Sequence, residues 1–447
     1  MNKILIANRG EIAVRIIRAC RELGIKTVAV FSTIDRDALH CRLADESYCI
    51  GSPPSKHSYL SIPQLMSVAA VSGSDAIHPG YGFLAENHKF ARVCEQYQIK
   101  FIGPTSKHIK QLGDKLTAKQ LAKNEGVPLL SGSDEPLHTF EEAQAAAKKI
   151  GYPLIIKAAA GGGGRGMRIV RSAKHLQENF LTAQREAETF FGNAQVFIEK
   201  FLTSPRHVEI QLVADEFGNA IHLGERDCSI QRRHQKIIEE SPCPTITKKI
   251  RTQLGNAALK IARSVKYISL GTVEFLLDRD NSFYFIEMNT RIQVEHPITE
   301  LVTGIDLVKE QIRIACGEKI DLKGSNFQPR GHAIECRINA EDAITFAPNP
   351  GRVHDFHLPS GPGIRIDSML VKDCYIPPDY DSMIAKLIAY GNNREEALNR
   401  MRRALQEMQV NGIKTNINFH LKVIDHPTFR KGDISTNFID ELLSTSK

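Results

Sequence analysis

The chain has 447 residues, of which 42% are hydrophobic and 24% charged, a composition that suits about three globular domains and excludes intrinsic disorder and collagen-like repeats. No apolar run approaches the roughly 18 residues of a membrane helix, and charged residues interrupt the short N-terminal apolar stretch, so neither a membrane span nor a signal peptide is predicted. The net charge of +7 suits an anionic ligand, but the basic residues are dispersed, which argues against nucleic acid as a partner.

Residues 1–113 alternate short apolar strands with helices. Strands are predicted at 3–7, 27–31, 75–78 and 100–102, and helices at 11–23 and about 86–97. This alternation predicts an α/β fold that begins with a parallel, doubly wound sheet. The first strand–helix turn, Asn8-Arg9-Gly10, lacks a Gly-x-Gly-x-x-Gly fingerprint, so no nicotinamide dinucleotide site is expected there. The loop 78–83 follows a strand end, where open sheets bind ligands, although a tight turn with an aromatic plug explains it equally well.

The run Gly161-Gly162-Gly163-Gly164-Arg165-Gly166 follows a predicted strand at 153–157 and precedes an alternating segment at 167–171. A strand, a glycine loop and a strand form a hairpin lid whose backbone N–H groups can approach phosphate oxygens closely. The alternative is a flexible surface hairpin without a ligand. Lys157, at the end of the first strand, can direct its charge at the same phosphates, whereas Lys115 is by itself a weak signal.

Residues 273–277 and 283–287 have the pattern of two strands of a hairpin. If Asp280 and Asn281 form the turn, outward pairing places Glu274 opposite Glu287, with Asn289 on the same face of the sheet. Opposed carboxylates destabilise a hairpin unless a cation lies between them, and two carboxylates with an amide suit Mg²⁺ or Mn²⁺ bound to phosphates. The alternatives are a protonated carboxyl group or two solvated carboxylates.

Polar side chains continue directly after this hairpin. If the segment stays extended, Arg291, Gln293 and Glu295 share one face and form a pocket that can hold an anion and deprotonate it. The alternative is a self-satisfied ion pair on an edge strand. The basic run 231–236 is by itself best explained as a solvated face. His207, Glu209 and Gln211 alternate in a strand predicted at 206–212, a pattern that suits the lining of a nucleotide cleft.

The last part of the chain has strands predicted at 333–338 and 353–357 and an amphipathic helix at about 394–409. Three domains are therefore predicted, of which the third is mixed in character, so that the fold is α+β in part. They comprise residues 1–113, residues 114–330 with a lid subdomain at about 131–203, and residues 331–447.

Cysteine usage indicates a reducing compartment. The nine cysteines are scattered, with no Cys-x-x-Cys spacing and no zinc-like cluster with histidine. We therefore expect a cytoplasmic enzyme or binding protein.

The glycine run, the Glu274/Glu287/Asn289 set and the run from Arg291 to Pro297 resemble the ATP-grasp enzymes and, among them, the biotin carboxylases. The similarity extends over essentially the whole chain and includes the strings Ile-Ala-Asn-Arg-Gly-Glu-Ile-Ala, Ala-Ile-His-Pro-Gly-Tyr-Gly-Phe and Glu-Arg-Asp-Cys-Ser-Ile-Gln-Arg-Arg-His-Gln-Lys, which begin at residues 6, 76 and 225. The size of the chain is similar to that of the free-standing biotin carboxylase subunit of bacterial-type acetyl-CoA carboxylase, which acts in fatty acid biosynthesis.

The resemblance implies an ATP-grasp fold and a ligase reaction. ATP would phosphorylate bicarbonate to carboxyphosphate, and the CO₂ that it releases would carboxylate biotin held on a biotin carboxyl carrier protein. It also implies carboxyltransferase subunits as further partners and a homodimer, while the dispersed basic residues and the lack of a long apolar run predict no nucleic acid or membrane partner. None of the eight methionines is adjacent to a lysine, whereas the family's biotinylated hairpins carry a Met-Lys-Met type motif, so biotin is expected on a separate chain.

The resemblance also implies roles for particular residues. The ATP phosphates would be bound by Lys115, Lys157, Gly162, Gly163, Gly164 and Gly166, with Met167 following the glycine loop. The nucleoside would be surrounded by Glu199, Leu202, His207, Gln231, His234 and Leu276. The metal would be held by Glu274, Glu287 and Asn289, and bicarbonate by Lys236, Arg291, Gln293 and the backbone of Val294. Glu295 would be the general base, Arg337 would stabilise the biotin enolate, and Tyr81 would flank the biotin ring.

Two other functions are compatible with part of this pattern. Another ATP-grasp ligase would share the metal pair and the lid but pass an acyl phosphate to an amine, and the residues from Arg291 to Glu295 together with Arg337 favour biotin instead. A nucleotide-binding regulator without turnover would not need Glu295 and Lys236. A nucleic-acid binder is disfavoured because the basic residues are dispersed.

Overall fold

A computed structural model describes residues 1–133, 135–158, 167–321 and 328–444. The first part of the chain forms a five-stranded parallel sheet in the order β3-β2-β1-β4-β5, which confirms the predicted doubly wound sheet. Its elements are β1 (Lys3–Ile6), α1 (Gly10–Glu22), β2 (Lys26–Ser32), α2 (Leu39–Leu43), β3 (Glu46–Gly51), α3 (Ile62–Ser72), β4 (Ala76–His78), α4 (His88–Gln96), β5 (Lys100–Phe101) and α5 (Ser106–Gly113). The fourth helix begins two residues later than predicted because Asn87 caps it, accepting a hydrogen bond from the Phe90 N–H.

The middle of the chain contributes a small three-stranded sheet, β7-β6-β8, and most of a large one. Its elements are α6 (Lys115–Asn124), α7 (Phe140–Ile150), β6 (Leu154–Ala158), β7 (Met167–Val170), α8 (Leu176–Phe191), β8 (Val196–Lys200), β9 (Arg206–Ala214), β10 (Ala220–Arg232), β11 (Gln235–Ser241), α9 (Lys248–Ser264), β12 (Ser269–Leu277), β13 (Phe283–Asn289), α10 (His296–Thr303) and α11 (Leu307–Ala315). The strands β6 and β7 pair antiparallel, so the strands that flank the glycine run form the predicted hairpin.

The last part of the chain completes the large sheet, whose order is β13-β12-β9-β10-β11-β14-β19-β17. Its elements are β14 (His332–Asn339), β15 (Gly351–Arg352), β16 (Asp355–His357), β17 (Ile364–Ser368), β18 (Tyr375–Ile376), β19 (Met383–Gly391), α12 (Arg394–Glu407), β20 (Gln409–Asn411), α13 (Ile417–Ile424), α14 (Pro427–Lys431) and α15 (Phe438–Ser444). The strand predicted at 353–357 is shorter, because β15 and β16 pair with different partners, β18 and β20. The eight strands join residues 206–289 to residues 332–391 in one sheet, and so bring charged side chains from both parts of the chain together.

Buried apolar side chains cover the large sheet on its outer side. The helix α12 packs on β19 and β14 through the predicted stripe, which includes Leu398, Met401 and Leu405, all almost completely buried. Another cluster joins α9 to β9 and β12. Among the described helices, each is too short or too polar to cross a bilayer. All nine cysteines are free thiols.

Candidate functional site

A cleft of about 700 Å³ opens between the three parts of the chain. It collects most of the polar residues that the sequence singled out, from the first, middle and last thirds alike. Its lining includes Tyr81, His207, His234, Lys236, Glu274, Glu287, Asn289, Arg291, Gln293, Val294 and Arg337. A cleft with this density of convergent charged groups is the candidate site.

Lys236 is the central cation of the cleft. Its Nζ lies 2.5 Å from Glu209 Oε2, 2.9 Å from Glu274 Oε1 and 2.7 Å from Glu295 Oε1. The strands β10 and β11 meet in a two-residue turn, Arg233-His234, with φ of 50° and 65°, as a type I′ hairpin turn requires. Burial acts to lower the pKa of Lys236, but the three carboxylates hold it well above its ordinary value, so the side chain stays charged.

Glu295 is completely buried at the floor of the cleft and accepts from two cations. Its second oxygen lies 2.9 Å from Arg337 Nη2. Burial acts to raise the pKa of Glu295, but Lys236 and Arg337 hold it well below its ordinary value, so the carboxylate is ionised. An ionised carboxylate between two cations can take a proton from an anion that shares those cations.

The expectation of an extended segment from Arg291 to Glu295 is wrong at its end. The chain turns at Val294 and Glu295, and α10 begins at His296. Pro297 in the first turn favours a helix start there. Glu295 therefore reaches Lys236 from the turn before a helix, and it forms no ion pair with Arg291.

Arg291 is held beside the cleft by its own partners. Its Nη1 donates to Gln293 Oε1 at 2.8 Å and its Nη2 to Asn289 Oδ1 at 3.1 Å. Its Nε donates to Glu86 Oε2 at 2.9 Å, and the other oxygen of Glu86 accepts from the Thr290 N–H. The guanidinium is thus oriented by side chains on two sides, which is the arrangement that an anion-binding arginine needs.

The hairpin of β12 and β13 pairs Glu274 with Glu287, as predicted, but not through the predicted turn. Near the turn the pairing is Leu277 with Phe283, which leaves a longer loop in which Asn281 has φ of 68°. One extra residue on β13, Ile286, then restores the register between Phe275 and Glu274. The sequence pattern did not reveal the bulge. The predicted turn was also wrong, and the two errors shift the register by one residue in opposite directions, so Glu274 and Glu287 still face each other.

The residues of this hairpin suit a divalent cation. Asn289 Nδ2 donates to Glu274 Oε1 at 3.0 Å, and within the described part of the chain the Glu287 carboxylate forms its ion pair with the Lys115 ammonium, at 3.9 Å. Burial and the charge of Glu274 raise the pKa of Glu287, which indicates that a further positive charge would be favourable there. Two carboxylates and an amide oxygen are a donor set for Mg²⁺ or Mn²⁺, but the Asn289 oxygen accepts from Arg291 Nη2 in this structure and would have to turn to the ion. His207, Glu209 and Glu274 also group within 4.8 Å, but the Lys236 ammonium lies between the two carboxylates.

The residues expected around ATP extend from the cleft toward the small sheet. Lys157 Nζ lies 2.5 Å from Glu199 Oε2, and Lys119 contacts the other oxygen. Burial and neighbouring lysines lower the pKa of Lys157 to about 8 and that of Lys119 to about 7. An anionic ligand would favour the charged form of both amines.

The remaining expected ATP residues are dispersed along these strands. Leu276 pairs with His207, Gln231 pairs with Lys236, and Met167 pairs with Lys157. His207 Nε2 lies 2.9 Å from Glu274 Oε2. Leu202 is the second residue after β8. The loop glycines Gly162, Gly163, Gly164 and Gly166 lie outside the described residues.

Several contributing residues had no predicted role. Glu239 lies 2.5 Å from Arg337 Nη2, and burial raises its pKa to about 7 against the opposing effect of Arg337. Arg226 is fully buried beneath the cleft, where it binds Glu209 and Gln211. Of the three alternating residues predicted to line the cleft, His207 does so, whereas Glu209 and Gln211 are completely buried and do not. The alternation along these strands reveals which residues share a face, but the partners are distant in sequence and no local pattern marks them.

Three family models match the chain. Residues 1–109 match "Biotin carboxylase, N-terminal domain", residues 114–323 match "Carbamoyl-phosphate synthase L chain, ATP binding domain", and residues 335–441 match "Biotin carboxylase C-terminal domain". The chain is 56% identical over 442 residues to a biotin carboxylase of Nostoc sp., with 99% of each chain covered.

Two solved structures are similar over nearly their whole length. A biotin carboxylase from Campylobacter jejuni, solved as a complex with "beta-gamma-ATP", is 47% identical with a TM-score of 0.96, and 98% of each chain is covered. The dimeric biotin carboxylase domain of 2-oxoglutarate carboxylase from Hydrogenobacter thermophilus, solved with MgADP, ADP and bicarbonate, is 48% identical with a TM-score of 0.95; the match covers 98% of this chain and 97% of that one.

Proposed function

Because the chain belongs to the biotin carboxylase family, we propose that it carboxylates biotin on a carrier protein, with ATP and bicarbonate as the other substrates. The enzyme is an ATP-dependent ligase that forms a carbon–nitrogen bond. Bicarbonate attacks the γ-phosphorus of ATP, ADP leaves, and the resulting carboxyphosphate breaks down to phosphate and CO₂. The CO₂ is then attached to N1′ of biotin. This is the first half-reaction of acetyl-CoA carboxylase, in fatty acid biosynthesis.

Bicarbonate binds between Lys236, Arg291, Gln293 and the N–H of Val294. Bound there, it shares Lys236 with Glu295 and weakens the hold of that cation on the carboxylate. The pKa of Glu295 then rises from its depressed value, and the carboxylate takes the bicarbonate proton. The single observation that carries this proposal is an ionised, fully buried Glu295 held between Lys236 and Arg337 at the floor of the cleft.

Lys115, Lys157 and the glycine run bind the ATP phosphates. The nucleoside is bound by Glu199, Leu202, His207, Gln231, His234 and Leu276. Glu274, Glu287 and Asn289 would hold Mg²⁺ or Mn²⁺, which offsets charge on the transferring phosphoryl group. The lysines contribute positive charge to the same end of the cleft.

Biotin reaches the same cleft from the side of Tyr81 and Arg337. The Arg337 guanidinium stabilises the enolate of the biotin ureido group, and Tyr81 flanks the ring. The partners are a biotinylated carrier protein, carboxyltransferase subunits and a second copy of the chain. The proposed domains are residues 1–113, 114–330 and 331–447, with the lid subdomain at about 131–203.

Formation of ADP tests the function directly. With Mg²⁺ and ATP, the protein should release ADP in a bicarbonate-dependent way, and free biotin or a biotinylated carrier should accelerate the release. Carboxybiotin should form in parallel, as labelled bicarbonate would reveal. Absence of bicarbonate-dependent ADP formation, or stimulation by an amine panel rather than by biotin, would contradict the proposal.

A further inference from the structure

We propose that Lys386 is a positioning residue: it fixes the turn that carries Glu295 and, through Glu11, links that turn to Tyr81 at the biotin end of the cleft. The inference rests on the proposed function and adds residues to it. Lys386 lies on β19, directly opposite Arg337 of β14. Its side chain has no solvent exposure, so its charge is costly unless polar partners compensate it.

The first partner of Lys386 is the turn before α10. Its Nζ donates to the Val294 carbonyl at 2.9 Å. That carbonyl belongs to the same planar peptide as the Glu295 N–H, so holding the oxygen fixes the plane from which the Glu295 side chain departs. The backbone N–H of Val294, which binds bicarbonate in the proposed mechanism, adjoins the same peptide.

The turn has little other support from its own backbone. The hydrogen bonds from the His296 N–H to the Gln293 carbonyl and from the Ile298 N–H to the Glu295 carbonyl are both long, 3.4 Å. Bonds of this length are weak. Side-chain contacts, including the 2.8 Å contact of His296 Nδ1 with the Gln293 carbonyl, must therefore hold the turn, and Lys386 supplies the side-chain contact to the peptide that joins Val294 to Glu295.

The second partner of Lys386 is Glu11 on α1, with 3.2 Å between Nζ and Oε1. The same Glu11 oxygen accepts a hydrogen bond from the Tyr81 hydroxyl. Asn8 Nδ2 donates to the Tyr81 carbonyl at 2.7 Å, which fixes the other side of that residue. Glu11 thus connects the lysine that holds the bicarbonate end to the tyrosine at the biotin end.

Lys386 does more than neutralise a buried carboxylate. The second anion near Lys386 is Asp367, 3.9 Å away, and Asp367 already has a closer partner in Arg365 at 2.7 Å. Lys386 is therefore not required to neutralise it. The three parts of the chain meet at one ammonium, and two of its contacts lead to groups that touch substrates.

The test compares three variants with the wild type. Lys386→Met/Glu11→Gln removes both charges of the pair, so neither partner is left behind as a lone buried charge. Arg394→Met is the control, because it also removes a cation, here a part-buried one, from the last third of the chain but has no contact with the cleft. Glu11→Gln alone keeps the bond from Lys386 to Val294. The measurements are the affinity for ATP, the kinetics of bicarbonate-dependent ADP formation without biotin, and KM for biotin.

For the double variant we expect kcat/KM for bicarbonate to fall by about 10–10²-fold, the cost of a displaced catalytic group, while the affinity for ATP stays close to that of the wild type. Glu11→Gln should raise KM for biotin more than KM for bicarbonate. Arg394→Met should lower the unfolding midpoint without either kinetic change. If the double variant does not fold, the isosteric Glu11→Gln tests the inference alone, through the ratio of its change in KM for biotin to its change in KM for bicarbonate.

Three results would overturn the inference: bicarbonate kinetics of a folded double variant equal to the wild type, a parallel loss of ATP affinity, or equal changes of both KM values in Glu11→Gln. A wild-type protein without bicarbonate-dependent ADP formation would refute the proposed function and this inference together. An active wild type with unaffected variants would refute the inference alone.

Discussion

Two neighbouring glutamates of β11 have opposite surroundings. Glu239 faces the cleft, where it shares the Arg337 guanidinium with Glu295. Glu240 points to the other face of the sheet, where His332 Nε2 and Arg394 Nε each lie 2.7 Å from its Oε2. Burial is almost complete for both glutamates, so exposure does not distinguish them.

The ratio of cations to carboxylates distinguishes the two faces. On the cleft face, carboxylates share cations, and burial raises the pKa of Glu239 to about 7 despite Arg337. On the other face, burial also acts to raise the pKa of Glu240, but His332 and Arg394 lower it to about 2. On the cleft face the carboxylates outnumber the cations, so a bound metal ion would be favourable there. On the other face Glu240 already has its own partners. Changes on the cleft face should therefore cost activity, and changes on the other face should cost stability.

The largest effect on activity should follow the loss of the general base. Glu295→Gln keeps the shape but removes the proton acceptor, so bicarbonate-dependent ADP formation should fall by about 10²–10⁴-fold. The fold should persist because Lys236 keeps Glu209 and Glu274 as partners. Steady-state kinetics and thermal unfolding measure the two quantities. Turnover within a few-fold of the wild type would show that the base lies elsewhere.

The metal pair should come next. Glu287→Gln replaces one of two facing carboxylates, a loss of several kcal/mol of transition-state stabilisation, or about 10²-fold or more in rate at limiting Mg²⁺. High Mg²⁺ should restore part of the rate. Asp280→Asn, an exposed change in the loop of the same hairpin, is the control and should leave the Mg²⁺ dependence as it is. A Mg²⁺ titration that does not differ between Glu287→Gln and the wild type would exclude the metal role.

Substitution of Arg337 should affect the two half-reactions unequally. Arg337→Ala should lower biotin carboxylation by about tenfold more than biotin-independent ATP hydrolysis, equivalent to about 1.4 kcal/mol, because the enolate forms only after CO₂ is released. Measuring ADP formation with and without biotin on one preparation gives this ratio. Equal losses in the two assays would remove the enolate role and leave Arg337 as a partner of Glu295 alone.

The sequence predicted what local patterns determine. The facing of Glu274 and Glu287 was predicted correctly because a missed bulge offset a wrong turn length. The parallel sheet of the first part and the strands around the glycine run follow from periodicity. The bulge at Ile286 and the turn at Val294 did not, because a bulge has no periodic signal and Pro297 marks a helix start only weakly. Glu239 and Glu240 could not be told apart, since their partners Arg337, His332 and Arg394 lie about 90 to 150 residues away and only the assembled sheet brings them together.

The smallest expected effect on activity belongs to Glu240→Gln. This change leaves Arg394 and His332 without their shared carboxylate, and breaking a buried ion pair costs about 3 kcal/mol of unfolding free energy. Kinetics should stay near those of the wild type, because the side chain lies on the face of the sheet away from the cleft. Chemical denaturation at neutral pH, with Glu239→Gln as the matched neighbour, measures the difference in stability.

The pH dependence of that difference tests its electrostatic origin. The pKa of Glu240 is about 2 in the folded state and ordinary, near 4.5, in the unfolded state, so its contribution is present above pH 4.5 and is lost as the pH falls toward 2. The unfolding free energies of the wild type and Glu240→Gln should therefore converge over that window and remain parallel above it.

For Glu239, whose folded pKa is raised to about 7, the sign reverses: the favourable contribution is present below pH 4.5 and is lost as the pH rises to 7. Glu239→Gln should thus gain stability relative to the wild type over that range, and two neighbouring variants with the same pH profile would refute the contrast between the faces.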